Sequence, residues 1–452
     1  MLPRQTLLLA LLLAGCAVYH PKPLSSLTTA GALESRSLND SGLKSFVEDN
    51  LRRRTSWPPK SWNLATLTLV SFYYHPDLEV ARAQYNTARA GIITAGARPN
   101  PTVSFAPQYD FDALAGVSPW TLALTFDIPI ETAGKRGHRV AQASHSADSA
   151  RLNIAATAWK VRSRLRANLL EFYRANQTQV PLREQADAQQ QVVELLEKRL
   201  AVGEISGAEL SLIRAAQQNA LLSLRDIEQQ TVEARAQAAA ALGVPARAIQ
   251  GMELPGFEVQ SLPSKVASGT LRERALHTRA DVLAALADYA SRQSALQLEI
   301  AKQYPDVHLG PGYSWDAGAD KWQLGISITL PVLNQNQGPI AEAEARRAEA
   351  AARFTQLQAQ IIGDLDRTLG GYLAARRKLE TAEALLGTQK RVTASAKSQL
   401  DAGQTDRPTY LSELVNLHAV ERSYIEALAG AHRALGALED AVQRPLNVRP
   451  IK

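Results

Sequence analysis

The side chains able to do chemistry are few in this chain. Its 452 residues hold one cysteine, two methionines and eight histidines. No nucleophile stands beside a base, and no cluster of carboxylates with histidine stands out, so no catalytic residue, cofactor or metal site is expected. His138 and His145 lie seven residues apart, whereas a helical metal-binding pair is usually spaced by three or four. Met252 is the sole methionine after the start, which leaves no thioether ladder for Cu(I) or Ag(I). Cys16 does invite chemistry. It follows Arg4, the apolar run Leu7 to Leu13, then Ala14 and Gly15, the charged, apolar and small-residue order of a secretory signal. A cysteine directly after Leu-Ala-Gly matches a lipobox, in which the thiol is acylated and the chain is cut before it. Residues 1–15 are therefore expected to be removed, and Cys16 is expected to be the lipid anchor. With no second cysteine there is no disulfide framework.

Loss of residues 1–15 removes Arg4 alone among charged groups, so the formal charge falls from +6 to +5. Basic and acidic residues interleave along the helical stretches, which reads as solvated helix faces and not as a phosphate-binding stripe. Nucleic acid is not expected as a partner. After Cys16 no run approaches the roughly 18 apolar residues of a spanning helix, so any membrane crossing must use β-strands.

The elements that position these residues come in duplicate. Asp77 and Pro101 recur as Asp281 and Pro305, and Pro129 as Pro331. Further on, Leu165, Leu169, Phe172, Leu200 and Gly203 recur as Leu365, Leu369, Tyr372, Leu400 and Gly403 at a constant spacing. A first structural repeat spans 63–242, with a helix over about 63–98, a hairpin at 102–128, a long helix, a tip turn at 202–206 and a returning helix. The second spans 270–443, with its hairpin at 307–330 and its tip turn at 402–406. An extension at 16–62 precedes them, a Pro-, Gly- and Ser-rich linker at 243–269 joins them, and a tail at 444–452 follows. The long stretches at about 137–201 and 339–401 carry apolar residues at helical spacing. At 1.5 Å per residue each would extend roughly 90–100 Å. Pro181 is the one interior breaker and should kink the first at most.

The hairpins alternate with a two-residue period. Val103, Phe105, Pro107 and Tyr109, then Trp120, Leu122, Leu124, Phe126 and Ile128, oppose small or polar neighbours; Val307 to Trp315 and Trp322 to Leu330 repeat the pattern. A hairpin on a soluble core shows the same period. Strands of about nine residues, aromatics at the far ends and a wet opposite face favour a transmembrane barrel. On that reading Asp127 and His308 face the lumen. Four strands cannot close a barrel, and an open edge in lipid leaves backbone groups unpaired, so the chain must oligomerise.

This plan of helix, hairpin, long helix, glycine turn and helix, twice over, resembles the TolC family of outer-membrane efflux proteins. Within it, Asp127-Ile128-Pro129-Ile130-Glu131 followed by Gly134-Lys135-Arg136-Gly137 is similar to the segment of CzcC-like members, which serve heavy-metal exporters. The same glycine-rich segment also reads as an ordinary turn opening a helix; it lacks the spacing of a phosphate loop. The resemblance implies a mixed fold of α-helices plus a transmembrane β-barrel. A homotrimer would form a twelve-stranded barrel in outer-membrane lipid, a periplasmic α-helical tunnel, and an equatorial belt from the linker and both termini. A periplasmic adaptor (membrane fusion) protein and an inner-membrane resistance-nodulation-division pump are the implied partners. The adaptor would meet Leu200, Val202, Gly203, Leu400, Ala402, Gly403 and Thr405. Family members often close the tip with aspartates at positions that here hold Thr409 and Ser412; Asp401, Asp406 and Glu413 lie nearby and, tripled around an axis, could attract cations at the entrance. The expected function is a passive exit duct, for heavy-metal cations. Organic toxicants, antibiotics or polypeptides are alternative cargoes. A structural coiled-coil lipoprotein is a rival of another class, and it does not account for the four alternating strands.

Overall fold

The computed structural model describes residues 17–446 except 53, 55, 60, 254, 258–261 and 264–267. The leader expected at 1–15, the expected anchor Cys16 and the last six residues of the tail lie outside the described residues. The chain begins with α1 (Ser26–Glu34) and α2 (Ser41–Leu51). The first repeat follows as α3 (Leu64–Tyr74), α4 (Pro76–Gly96), β1 (Thr102–Tyr109), β2 (Trp120–Ile130), α5 (Lys135–Ala201) and α6 (Gly207–Leu242). A one-turn 3-10 helix at Ala246–Ile249 leads into the linker. The second repeat is α7 (Ser268–Thr278), α8 (Ala280–Ala301), β3 (Val307–Asp316), β4 (Ala319–Ile328), α9 (Gln337–Asp401) and α10 (Arg407–Val442). No described helix is long and apolar enough to cross a membrane.

The single helix expected over 63–98 is two helices, and so is its counterpart in the second repeat. Pro76 explains the first break: it forces the preceding His75 out of the helical region, and His75 sits extended as the N-cap of α4. No proline marks the equivalent break at Arg279, also extended. There the Arg279 guanidinium donates to Ala441 O at 2.7 Å, and the Ala280 N–H donates to Gln443 Oε1 at 3.0 Å. The end of α10 thus holds the break open. Pro181 is buried inside α5, which runs unbroken for 67 residues, about 100 Å at the helical rise.

The helices pack side by side as one wall. In the half nearer the tips α6 packs on α5, α5 on α10 and α10 on α9; in the half nearer the sheet the order is α4, α5, α8, α9. Two buried cores occupy matching places in the repeats. Leu165, Leu169 and Phe172 join Leu43, Val47, Leu67, Val70 and Leu242, while Ile361, Leu365 and Tyr372 join Leu271, Val282 and Leu438. Burial of each such side chain is worth roughly 1.5–3 kcal/mol. The linker is fastened over both. Phe257 lies between the rings of Tyr173 and His432, at 5.4 and 5.3 Å between centroids, and Pro263 O accepts from Tyr372 Oη at 2.7 Å and from Arg376 Nη1 at 3.1 Å. Gly243 ends α6 with φ +78°, and a Cβ there would meet Tyr74 O at 2.8 Å. Only glycine satisfies both the turn and that approach.

Candidate functional site

The four strands make one antiparallel sheet in the order β1-β2-β3-β4. Its two faces differ as a two-residue period demands. On one face Phe105, Leu124, Tyr313 and Trp322 stand side by side across all four strands, and Ile128, Leu309 and Ile326 do so across β2, β3 and β4. Along β2 every large apolar side chain, Trp120, Leu122, Leu124, Phe126, Ile128 and Ile130, is exposed while its neighbours are half-buried. Tyr109 packs edge-on against Trp120, and Tyr313 lies against Trp322, each pair at 5.0 Å. This exposed apolar face, flanked by aromatics, is what lipid solvates and water does not.

The opposite face is small and polar, with Thr125, Gly312 and Gln323 on one rung and Ala123, Ser314 and Lys321 on another. Asp127 and His308 come together on it: His308 Nδ1 lies 2.9 and 3.1 Å from the two Asp127 oxygens. At the opposite end of the same face, Asp316 Oδ1 accepts from Thr121 Oγ1 at 2.8 Å, and Asp316 Oδ2 pairs with Lys321 Nζ at 2.6 Å.

At the far end both hairpin tips are built alike. Gly203 and Gly403 have φ +78° and +70°, and each donates to the carbonyl of Leu200 or Leu400 at 3.0 Å. Glu204 N donates to Arg199 O and Gln404 N to Gln399 O at 2.9 and 2.8 Å. These paired bonds are the Schellman closure of a helix. Leu200 tucks beside Val193, Leu196 and Leu210, Leu400 and Thr405 are half-buried, and Val202 and Ala402 are exposed. A Cβ on Gly203 or Gly403 would meet nothing within 4 Å. Alanine there should therefore cost only the left-handed backbone term, about 1–2 kcal/mol. Hydrogen exchange should read this as faster exchange at the Glu204 and Gln404 amides; unchanged protection would contradict it.

The acids expected at the entrance have distinct surroundings. Asp406 caps α10, accepting from Thr409 N at 3.0 Å and from Thr409 Oγ1 at 2.5 Å, and pairs with Arg199 Nη2 at 3.0 Å. Those bonds, the Thr409 hydroxyl first, hold its carboxyl below the usual carboxylate range, so it stays charged at neutral pH. Thr409, at one of the two positions expected for a gating aspartate, is this cap's partner. Arg407 Nη2 reaches Gln191 Oε1 at 3.0 Å, so two contacts tie the two tips together. Glu413 Oε2 accepts from Gln389 Nε2 at 2.9 Å. Asp401, exposed, lies 3.7 Å from Lys397 Nζ.

Residues 74–244 and 271–442 both match the family described as outer membrane efflux protein. The chain belongs to the outer membrane efflux protein family. Each matched segment covers most of one repeat, and membership places the sheet in the outer membrane with the helices in the periplasm. Among relatives, the cobalt-zinc-cadmium resistance protein CzcC of Cupriavidus metallidurans is 30% identical over 281 residues, 61% of this chain and 64% of CzcC. The aligned part thus spans less than two thirds of that relative. Two solved structures share the fold. VceC of Vibrio cholerae, an outer membrane protein, has a TM-score of 0.68 at 21% identity, covering 84% of this chain and 95% of VceC. The outer membrane channel CmeC of Campylobacter jejuni has a TM-score of 0.69 at 14% identity, covering 94% of each chain.

In this outer membrane efflux protein the Gly134-Lys135-Arg136-Gly137 segment braces the junction of sheet and helices. Gly134, with φ +71°, precedes α5 as Asn336, with φ +64°, precedes α9. Lys135 is buried, and its Nζ donates to Tyr304 O at 2.6 Å and to Asp306 Oδ1 at 2.7 Å. Arg136 Nε donates to Gly96 O at 2.7 Å. Arg139 clasps Glu131 with both guanidinium nitrogens, which holds the Glu131 carboxyl below its ordinary range. Asp306, Arg139 and Glu131 escaped sequence reading as a group because their partners lie in different repeats or across a turn. A second missed grouping lies in the helical wall, where Glu184, His418 and Glu421 converge; the three-residue spacing of His418 and Glu421 was its only trace in sequence.

Proposed function

We propose that three copies of this chain form the outer-membrane exit duct of a tripartite efflux system, and that its cargo is divalent heavy-metal cations. The observation that carries the duct is a pair of matching open flanks. Among the described residues, β1 and β4 each lack a neighbour on one side, and so do α4 and α6 on one flank of the wall and α9 on the other. The repeats make α5 and α9 equivalent. α5 is flanked by α6 and α10, so α9 calls for an α6 beyond α10, which only the next copy can supply. β4 calls for a β1 in the same way. Exposed Leu212, Leu222 and Val232 on α6 and Leu373, Leu385 and Val392 on α9 supply apolar surface for that joint.

Transport through such a duct needs a wet passage and a docking end, and no catalytic group. The small polar strand face, with Asp127 and His308, would line the passage. The two glycine turns, with Val202 and Ala402 exposed, would meet the tips of a periplasmic adaptor carrying the chain to a resistance-nodulation-division pump. Cys16, acylated, would be a second tether beside the strands. Likeness to CzcC supports the metal cargo. Deletion of the gene should lower tolerance to zinc, cobalt or cadmium several-fold. Unchanged metal tolerance with increased antibiotic sensitivity would reassign the cargo to organic toxicants.

A further inference from the structure

We propose that Glu184 of α5, with His418 and Glu421 of α10, forms a divalent-cation site that clamps the first repeat to the second in the helical wall. Glu184 lies 17 residues before the end of α5 and His418 11 residues after the start of α10. The site is therefore roughly 20 Å inside the tips at 1.5 Å per residue. His418 is 6% exposed; Glu421 is half-buried and Glu184 opens to solvent. His418 Nδ1 lies 3.0 Å from Glu421 Oε2 and 3.3 Å from Glu184 Oε2, and one ligand atom from each residue falls within 4.8 Å of the others. Ligands at 2.0–2.1 Å from a tetrahedral ion stand about 3.3 Å apart. An ion can therefore enter with little movement.

The surroundings also suit a hydrated cation. Three of the four buried side-chain polar atoms that lack a partner among the described residues lie in this stretch: Gln185 Oε1, Gln189 Oε1 and Arg422 Nε. Glu184, Asp187 and Glu421 against Arg183 and Arg422 leave the stretch with one net negative charge. One imidazole with two carboxylates suits Zn(II), Co(II) or Mn(II) in preference to soft Cu(I). Three protein ligands leave a position for water, so the ion can exchange. The equivalent positions in the other half of the duplication, Ala384, Gln218 and Leu221, cannot form the site. It belongs to the α5–α10 joint alone.

Co(II) titration of the purified full-length protein in detergent tests this. One Co(II) per protomer is expected, seen as visible d–d absorption and a rise in melting temperature. Glu184→Gln and Glu421→Gln should each weaken binding at least tenfold, and His418→Gln should abolish both signals while the oligomer elutes unchanged. Absence of Co(II) absorption in the native protein, or native affinity in His418→Gln, would overturn the site. Binding to purified protein is independent of what the duct exports: an antibiotic duct carrying this site would still take up Co(II), and a metal duct lacking it would not.

Discussion

Glu439→Ala is expected to destabilise the protein by about 3–5 kcal/mol, the cost of leaving buried charge without its partner. Glu439 is 4% exposed. Its Oε2 accepts from Arg162 Nη1 and Nη2 at 3.2 and 3.3 Å and from Arg166 Nη1 at 2.5 Å, while its Oε1 accepts from Leu446 N at 2.9 Å. Both arginines project from α5 and are themselves mostly buried. The neighbouring Asp440 takes the second nitrogen of Arg166 at 3.2 Å and Trp159 Nε1 at 3.0 Å, so it can compensate Arg166 but not Arg162. Gly436, one turn earlier, leaves room for the Arg166 guanidinium, which a Cβ would strike. The cluster joins the end of α10 to the middle of α5, where the repeats meet at the belt. Alanine therefore leaves Arg162 without a carboxylate partner, and Arg166 with Asp440 alone, in a mostly buried joint. Glu439→Gln keeps the shape and one acceptor, and should lose less. The check is the urea midpoint of detergent-solubilised protein; a loss below about 1 kcal/mol for alanine would mean that water reaches the arginines.

Such long-range pairs mark the limit of what the sequence displays. The strands were legible because alternation from Trp120 to Ile128 is a local signal, and a lipid-facing surface leaves no other use for it. The long helices and tip turns were legible because Gly203 and Gly403 solve a local backbone problem in register. The first helix break could have been read from Pro76. The second could not, because Arg279 is held extended by Ala441 and Gln443, more than 160 residues away. The same holds for the candidate sites. Asp127 and His308 were placed on one face by period alone, yet their contact depends on β2 pairing with β3. Lys135 with Asp306, and Glu184 with His418, are joined only by how the repeats pack. Duplication predicts where elements recur; it does not predict which polar residues have diverged to meet across the joint.

The largest effect should come from the sheet. Leu124→Arg is expected to keep the chain out of the outer membrane, because Leu124 stands mid-strand on the apolar face between Phe105 and Tyr313. An arginine at the bilayer midplane of a barrel costs about 2–4 kcal/mol. Three copies in the proposed trimer would lose roughly 6–12 kcal/mol on that scale, comparable to the whole stability of a domain. The neighbouring Thr125, one residue on, faces Gly312 across the strand pair on the wet side. Thr125→Lys should insert normally and change only the conductance of the reconstituted channel, since its charge meets water. The contrast isolates the face, because both substitutions place a cation in the same strand one residue apart. Membrane fractionation with heat-dependent gel mobility reads insertion directly. Equal loss from both variants would mean that strand pairing and not lipid contact is being broken, and normal insertion of Leu124→Arg would mean that this face does not meet lipid at all.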